Sequence, residues 1–360
     1  MARDNVFNFS AGPSVMPLPA LESARDQLPD YMGSGVSVME MSHRSKQFQE
    51  IFDSTKLKLR TLMQVPETHD ILFLQGGATL QFAAIPMNLL EGGCADYAIT
   101  GNFSKKAAQE AEKYGSVHIA CDSSPTGHDR IPSQEELDCT EGAKYFYYCA
   151  NNTVYGTEWQ YLPRVSAPLV CDMSSDILSY PVDVSRFGLI YAGAQKNMAP
   201  AGLTVVIVDK SLLGREMAIT PQVMSYKILS EHDSMLNTPP CWCIYMLGLT
   251  LDWVRAQGGV EAMDALRRER AALLYDFLDN SRLFKAHALP GSRSFMNVTF
   301  STGDANLDAE FVKASSARGF LNLKGHKVAG GMRASIYNAM PVEGVKKLVN
   351  YMKEFELSHV

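Results

Sequence analysis

Over residues 70–210 the chain alternates short, unbroken apolar runs with stretches in which apolar residues recur every three or four positions. The runs at 71–74, 95–100, 117–121, 145–150, 169–171, 189–191 and 203–208 predict strands, and the recurring pattern predicts helices at 80–90 and 104–114. Strands without polar alternation are buried on both faces, and helices placed between them favour a mostly parallel sheet. Ligands of such sheets collect outside the carboxyl ends of the strands. Farther on, Pro239-Pro240 precedes an apolar helix at 242–257 that Gly258-Gly259 ends, and a charged amphipathic helix follows to 278. Strands at 294–300 and 332–337 then alternate with helices at 308–318 and 342–354, the mark of a smaller α+β unit beginning near 258. The expected fold is α/β, a large domain with a smaller α+β domain after it.

Composition narrows the function without choosing it. Of 360 residues 46% are hydrophobic and 20% charged, as in an ordinary folded protein. A net charge of −6 points away from nucleic acid, so any anionic ligand must be held by cations gathered locally. The most apolar stretch, 241–254, is too short and mixed to span a bilayer, and the first residues have no apolar signal-peptide core. Seven cysteines without a disulfide-like spacing fit a reducing, cytoplasmic location. Cys241 and Cys243 point apart on a helix and lack a second pair, so no metal is expected.

Three strand ends carry chemistry. Lys196 follows the run at 189–191 among small residues, and an amine held between buried strands can form a Schiff base with an aldehyde. Gln75-Gly76-Gly77-Ala78-Thr79 joins a strand to a helix, where open N–H groups and the helix dipole favour a phosphate. It has neither the Walker lysine nor the G-x-G-x-x-G spacing. Asp172 ends the run at 169–171 and could hold a protonated ring nitrogen. A strand-end lysine, a glycine turn and a capping carboxylate are each ordinary singly. Together they are the three handles of pyridoxal 5'-phosphate (PLP). Phe103 could stack on a planar ring and Thr153 could donate to a ring substituent. Two clusters could bind anions. His43 and Arg44 stand where Ser42-His43-Arg44-Ser45 opens a helix, and His326 and Lys327 precede Arg333. Arg333 shares a strand face with Ser335 and Tyr337, and its fork suits a substrate carboxylate.

The stretch Asn8-Phe9-Ser10-Ala11-Gly12-Pro13 resembles the opening of the phosphoserine aminotransferase family, within the fold-type I PLP transferases. So do Met39 through Arg44, Asp183 through Leu203, and Lys324 through Pro341, and together these cover almost the whole chain. The resemblance implies a large PLP-binding domain over 16–258 with a mostly parallel seven-stranded sheet, and a small domain from 1–15 and 259–360. It implies catalytic roles for Lys196 and Asp172, and cofactor contacts from Ala78, Thr79, Phe103, Thr153 and Gln195. Asn237 and Thr238 would reach the cofactor phosphate from the partner in a homodimer. His43, Arg44, His326 and Arg333, with Lys327 beside them, would hold substrate anions. The implied reaction exchanges an amino group between L-glutamate and 3-phosphohydroxypyruvate, giving phosphoserine and 2-oxoglutarate, with 4-phosphohydroxythreonine of pyridoxine biosynthesis left open as a further substrate. Two positions depart from the family pattern: Phe103 replaces the commoner tryptophan and Lys327 the commoner arginine. A cysteine desulfurase of the same fold would need a nucleophilic cysteine, and 319–331 holds none. A PLP-binding regulator without turnover would have little use for the clustered cations. A nicotinamide dehydrogenase would need a dinucleotide fingerprint that this chain lacks.

Overall fold

The computed structural model describes residues 3–360; Met1 and Ala2, which open the segment assigned to the small domain, lie outside the described residues. Strand β1 (Phe7–Asn8) leads to helices α1 (Leu18–Asp26) and α2 (Lys46–Leu62). Then come β2 (His69–Leu74), α3 (Gly77–Leu89), β3 (Cys94–Ile99), α4 (Asn102–Ala111), β4 (Ser116–Asp122) and β5 (Phe146–Cys149). A small hairpin, β6 (Asn151–Asn152) and β7 (Thr157–Glu158), precedes β8 (Leu169–Asp172), β9 (Leu189–Gly193) and β10 (Thr204–Asp209). Helices α5 (Tyr226–Glu231), α6 (Cys241–Ala256) and α7 (Gly259–Asn280) follow. The chain closes with β11 (Lys285–Ala286), β12 (Asn297–Ser301), α8 (Ala305–Ala317), β13 (Phe320–Leu321), β14 (Met332–Ser335) and α9 (Val342–Leu357).

Seven strands form one sheet in the order β2-β10-β9-β8-β5-β3-β4, and only β10 runs against its neighbours. Alternate residues of each strand enter different cores. Ile71, Phe73, Cys171, Ile190 and Val205 pack with Phe48, Phe52 and Leu247 of α2 and α6. Leu72, Leu74, Val170, Tyr191 and Val206 pack with Phe82, Ile85 and Ala107 of α3 and α4. Burial of both faces is why these strands read as unbroken apolar runs. A third core gathers Phe9 with Phe284, Phe300, Phe311, Leu348 and Met352 beside the three-stranded sheet β11-β12-β14. We propose the division into 16–258 and 1–15 with 259–360 on that grouping, since Phe9 packs with the C-terminal elements.

Several helix starts differ from the sequence expectation, and two of them bear on the site. Helix α2 begins at Lys46, with the Ser45 side chain accepting the Phe48 N–H at 3.2 Å, so His43 and Arg44 precede the helix instead of lying in its first turn. Helix α3 begins at Gly77, three residues early, because Gly76 takes a left-handed φ of 90° that turns the chain sharply off β2. Ala78 and Thr79 thereby occupy its first turn. Helix α1, the β1–β13 pair and the β6–β7 hairpin had no clear periodic signal. No helix among the described residues is long and apolar enough to cross a membrane.

Candidate active site

Parallel pairing sets the ends of β5 and β8 level, with Cys149 opposite Asp172, and places Asp172 opposite Tyr191, two residues before the end of β9. Asp172 is buried at the last position of β8. Its Oδ1 accepts the Ser174 N–H at 2.9 Å, and its Oδ2 accepts the Tyr191 hydroxyl at 3.0 Å. The Ser174 hydroxyl in turn accepts the Gly193 N–H at 3.0 Å, tying the end of β9 to the turn after β8. A carboxylate has about four lone-pair positions, so two remain for a ring N–H.

Lys196 lies in the turn between β9 and β10, its Nζ 5.8 Å from the centre of the Phe103 ring at the start of α4. An N-terminal strap packs over the lysine. The Ser14 N–H donates to the Gln195 carbonyl at 3.0 Å, and the Ser14 hydroxyl donates to the Lys196 carbonyl. A Cβ at Gly12 would sit 3.5 Å from Lys196 Cγ, so the strap lies in van der Waals contact with the lysine stem. Thr153 is buried just past β6, and its carbonyl accepts Arg333 Nη1 at 2.8 Å.

The candidate phosphate cradle is a built turn. A Cβ at Gly76 would lie 2.4 Å from Leu80, so only glycine fits, whereas the space above Gly77 is open. The N–H groups of Gly77, Ala78 and Thr79 fall in the first helical turn, where intrahelical acceptors are absent and the dipole is positive. Gln75 Nε2 donates to the Thr238 carbonyl at 2.7 Å, and Asn237 lines the same depression of about 420 Å³ as Gln75 and Gly76. Within one chain, Asn237 and Thr238 thus already stand at the edge of the cradle. Asn237 and Thr238 are both exposed.

His326 and Arg333 come together beside Thr153. Burial, then Arg333, Lys327 and Lys106, hold the His326 imidazole below its ordinary range. Each of those three neighbours is positive, the condition of a site shaped for an anion. Lys106 stands one turn beyond Phe103 on the same helix face. His43 is buried and Arg44 exposed, and among the described residues no hydrogen bond or ion pair joins either to the rest of this group.

A family model described as aminotransferase class-V matches residues 6–348. The chain belongs to the class-V aminotransferases. It is 50% identical over 358 residues to a phosphoserine aminotransferase of Bacillus cereus, with 99% of both chains covered. It is 49% identical over 364 residues to that of Nitrosomonas europaea, covering 98% of this chain and 99% of that one. Among solved structures, the phosphoserine aminotransferase from Bacillus circulans subsp. alkalophilus superposes with a TM-score of 0.97 at 41% identity, covering 99% of this chain and 100% of that one. The PLP-bound phosphoserine aminotransferase from Trichomonas vaginalis gives 0.94 at 42% identity, covering 97% and 99%.

In this class-V aminotransferase several site neighbours had no signal in the sequence pattern. Tyr191 is an interior strand residue whose hydroxyl meets Asp172 only because β8 and β9 are adjacent. Lys106 has the pattern of a solvated helix charge. Asp176, four residues past Asp172, is fully buried, accepts the Tyr180 hydroxyl at 3.1 Å through Oδ2, and has no partner for Oδ1 among the described residues. Burial, then Glu158, push its carboxyl up to about 8. The folded protein therefore holds a proton there that the unfolded chain releases near pH 4. The resulting stability is complete below that pH and is lost as pH rises toward 8. Asp176→Asn is expected to flatten the fall of Tm between pH 5 and 8 and to give the higher Tm of the two proteins at pH 8. Parallel Tm–pH curves for the two proteins would overturn this.

Proposed function

We propose that the chain transfers an amino group between L-glutamate and 3-phosphohydroxypyruvate, giving 2-oxoglutarate and O-phospho-L-serine for serine biosynthesis. The observation that carries this is the gathering of Arg333, Lys327 and Lys106 around His326, in a chain that also has a strand-end lysine beside Phe103 and is half identical to phosphoserine aminotransferases. The cradle at Gly76-Gly77 and the open lone pairs of Asp172 fit PLP. When bound, PLP supplies the carbonyl that takes up the amino group and a ring that accepts the electron pair released at the substrate α carbon.

The protein's own part is positioning and proton transfer. Lys196 Nζ anchors the cofactor and then moves the proton at the substrate α carbon. With the cofactor bound, Asp172 would hold the proton on the ring nitrogen, Phe103 would stack on the ring, and Thr153 would donate to a ring substituent. The N–H groups of Ala78 and Thr79, with Gln195, hold the cofactor phosphate. Arg333 clamps the substrate α-carboxylate with the part of its fork not given to Thr153. His43, Arg44, His326 and Lys327 take the substrate phosphate or the distal carboxylate of glutamate. We further propose a homodimer, in which Asn237 and Thr238 complete the partner's phosphate site; Asn237 lines its depression with Leu80 and Val223, which are exposed apolar residues. Sedimentation of a fully active monomer would refute it. A reducing cytoplasm is the proposed location, since all seven cysteines are free.

The deciding experiment compares kcat/KM for 3-phosphohydroxypyruvate and oxaloacetate. Phosphate recognition predicts a marked preference for the former. Arg44→Ala and a double replacement of His326 and Lys327 by alanine are expected to raise KM for the phosphorylated keto acid about ten- to a hundredfold, as for a lost charge-assisted contact. Equal kcat/KM values in the unaltered enzyme would make it a general aminotransferase.

A further inference from the structure

A line of buried polar side chains runs from the N-terminal strap, through the small sheet, to the turn after Asp172, with Tyr337 near enough to Arg333 to favour its charge. The Tyr337 hydroxyl donates to the Ala11 carbonyl at 2.8 Å. Asn297 Nδ2 donates to the Tyr337 hydroxyl at 3.1 Å and to the Ser335 hydroxyl at 2.9 Å. Asn297 Oδ1 accepts Asn151 Nδ2 at 2.7 Å. The same Nδ2 reaches the Ser175 hydroxyl at 2.8 Å, which itself donates to the Asn151 carbonyl at 2.9 Å. The Ser294 hydroxyl closes on Asn151 Oδ1 and accepts the Asn297 N–H at 2.9 Å. Asn151, Ser175, Ser294, Asn297, Ser335 and Tyr337 are all essentially inaccessible to solvent.

Both ends of this line belong to site-bearing segments. Ser335 and Tyr337 share a face with Arg333, which binds the Thr153 carbonyl. Asn151 lies two residues before Thr153, and Ser175 three after Asp172. Apolar contacts between two packed sheets can slide, whereas an amide pair with every donor and acceptor used has one register. Buried amides cost free energy to desolvate and offset it only in that register.

We propose that the Asn151–Asn297 amide pair is a positioning device that fixes Arg333 relative to Thr153 and Asp172, and so sets where a substrate carboxylate stands over the cofactor ring. This rests on the transaminase reading above. Asn297 is a positioning residue, acting through Arg333 on the carboxylate that both amino donors share.

The test uses PLP-loaded Asn297→Leu and Asn297→Asp. Single-turnover kcat/KM is measured separately with L-glutamate and O-phospho-L-serine, alongside the Kd of 2-oxoglutarate by calorimetry and Tm. Asn297→Leu is expected to lose about ten- to a hundredfold in kcat/KM, the scale of an ångström-level misplacement. The loss should be equal for both donors, with a parallel weakening of 2-oxoglutarate. Asn297→Asp should recover most of it, because its oxygens accept Asn151 Nδ2 and a Ser335 hydroxyl rotated to donate, while the Tyr337 hydroxyl keeps its bond to the Ala11 carbonyl and loses only the one it accepted from Nδ2. Its buried charge should lower Tm at least as much, which separates positioning from stability. Should Asn297→Leu fail to fold, Tyr337→Phe gives the same comparison with a smaller, severalfold loss. A variant within about twofold of the parent for both donors, a loss confined to phosphoserine, or an Asp variant as impaired as Leu would each overturn the proposal. Absence of any reaction with glutamate in the unaltered enzyme would instead sink the transaminase reading.

Discussion

Replacing Lys196 by alanine is expected to lower turnover with L-glutamate by on the order of 10⁴-fold, the upper range for a lost general base, and to end covalent attachment of PLP. The expectation rests on place. Lys196 follows the end of β9, next to the strand that carries Asp172, with its Nζ 5.8 Å from the Phe103 ring and its stem against Gly12. The fold should survive, because the bonds in which the strap closes on this turn use the backbone carbonyls of Gln195 and Lys196, which alanine keeps. Turnover and retention of cofactor after denaturing gel filtration check it. Near-normal transamination without an added amine would remove Lys196 from the centre of the reaction.

For Asp172→Asn the expected loss in kcat is at least about ten- to a hundredfold, from one charge-assisted bond worth roughly 1.5–3 kcal/mol, with a further loss from the weakened electron sink. Asparagine keeps the shape of the site: its Oδ1 can still accept the Ser174 N–H, and the Tyr191 hydroxyl can turn to accept from Nδ2. What disappears is the negative charge that keeps a proton on the ring nitrogen. PLP should still bind through Lys196 and the Gly76-Gly77 cradle. A kcat within about twofold of the parent would show that another group serves the ring nitrogen, since the lost bond alone exceeds that change.

The parallel sheet was legible because its strands are buried on both faces, and burial on both faces leaves an unbroken apolar run in a sequence. Lys196, Asp172 and the Gly76-Gly77 turn were legible for a related reason: polar or glycine residues at the end of such a run stand out against it. Less visible were elements with few residues or no period. Strands β1 and β13 have two residues each and exist by pairing with one another, Phe7 with Phe320 and Asn8 with Leu321, across most of the chain. Helix α1 carries only two buried residues, Ala20 and Ala24, so it prints almost no periodic signal.

The resemblance covered the candidate residues more fully than spacing did, yet it named roles without neighbours. Arg333 illustrates the difference. Its strand face with Ser335 and Tyr337 could be read from alternation, but its bond to the Thr153 carbonyl joins residues 180 positions apart. The expectation for His43 and Arg44 at a helix start shifted for a local reason, since Ser45 is the better cap and the helix begins behind it.

By itself the sequence determined which segments form the large sheet, near where each strand ends, and which end residues can do chemistry, because these follow from local periodicity and from the cost of placing a polar group beside an apolar run. Only the tertiary structure decided strand order, and with it that Tyr191 would orient Asp172, that Lys106 would join His326 and Arg333, and that Asn151 would meet Asn297. Those contacts depend on which elements lie side by side, and adjacency is set by packing the whole chain, which no local stretch of residues encodes.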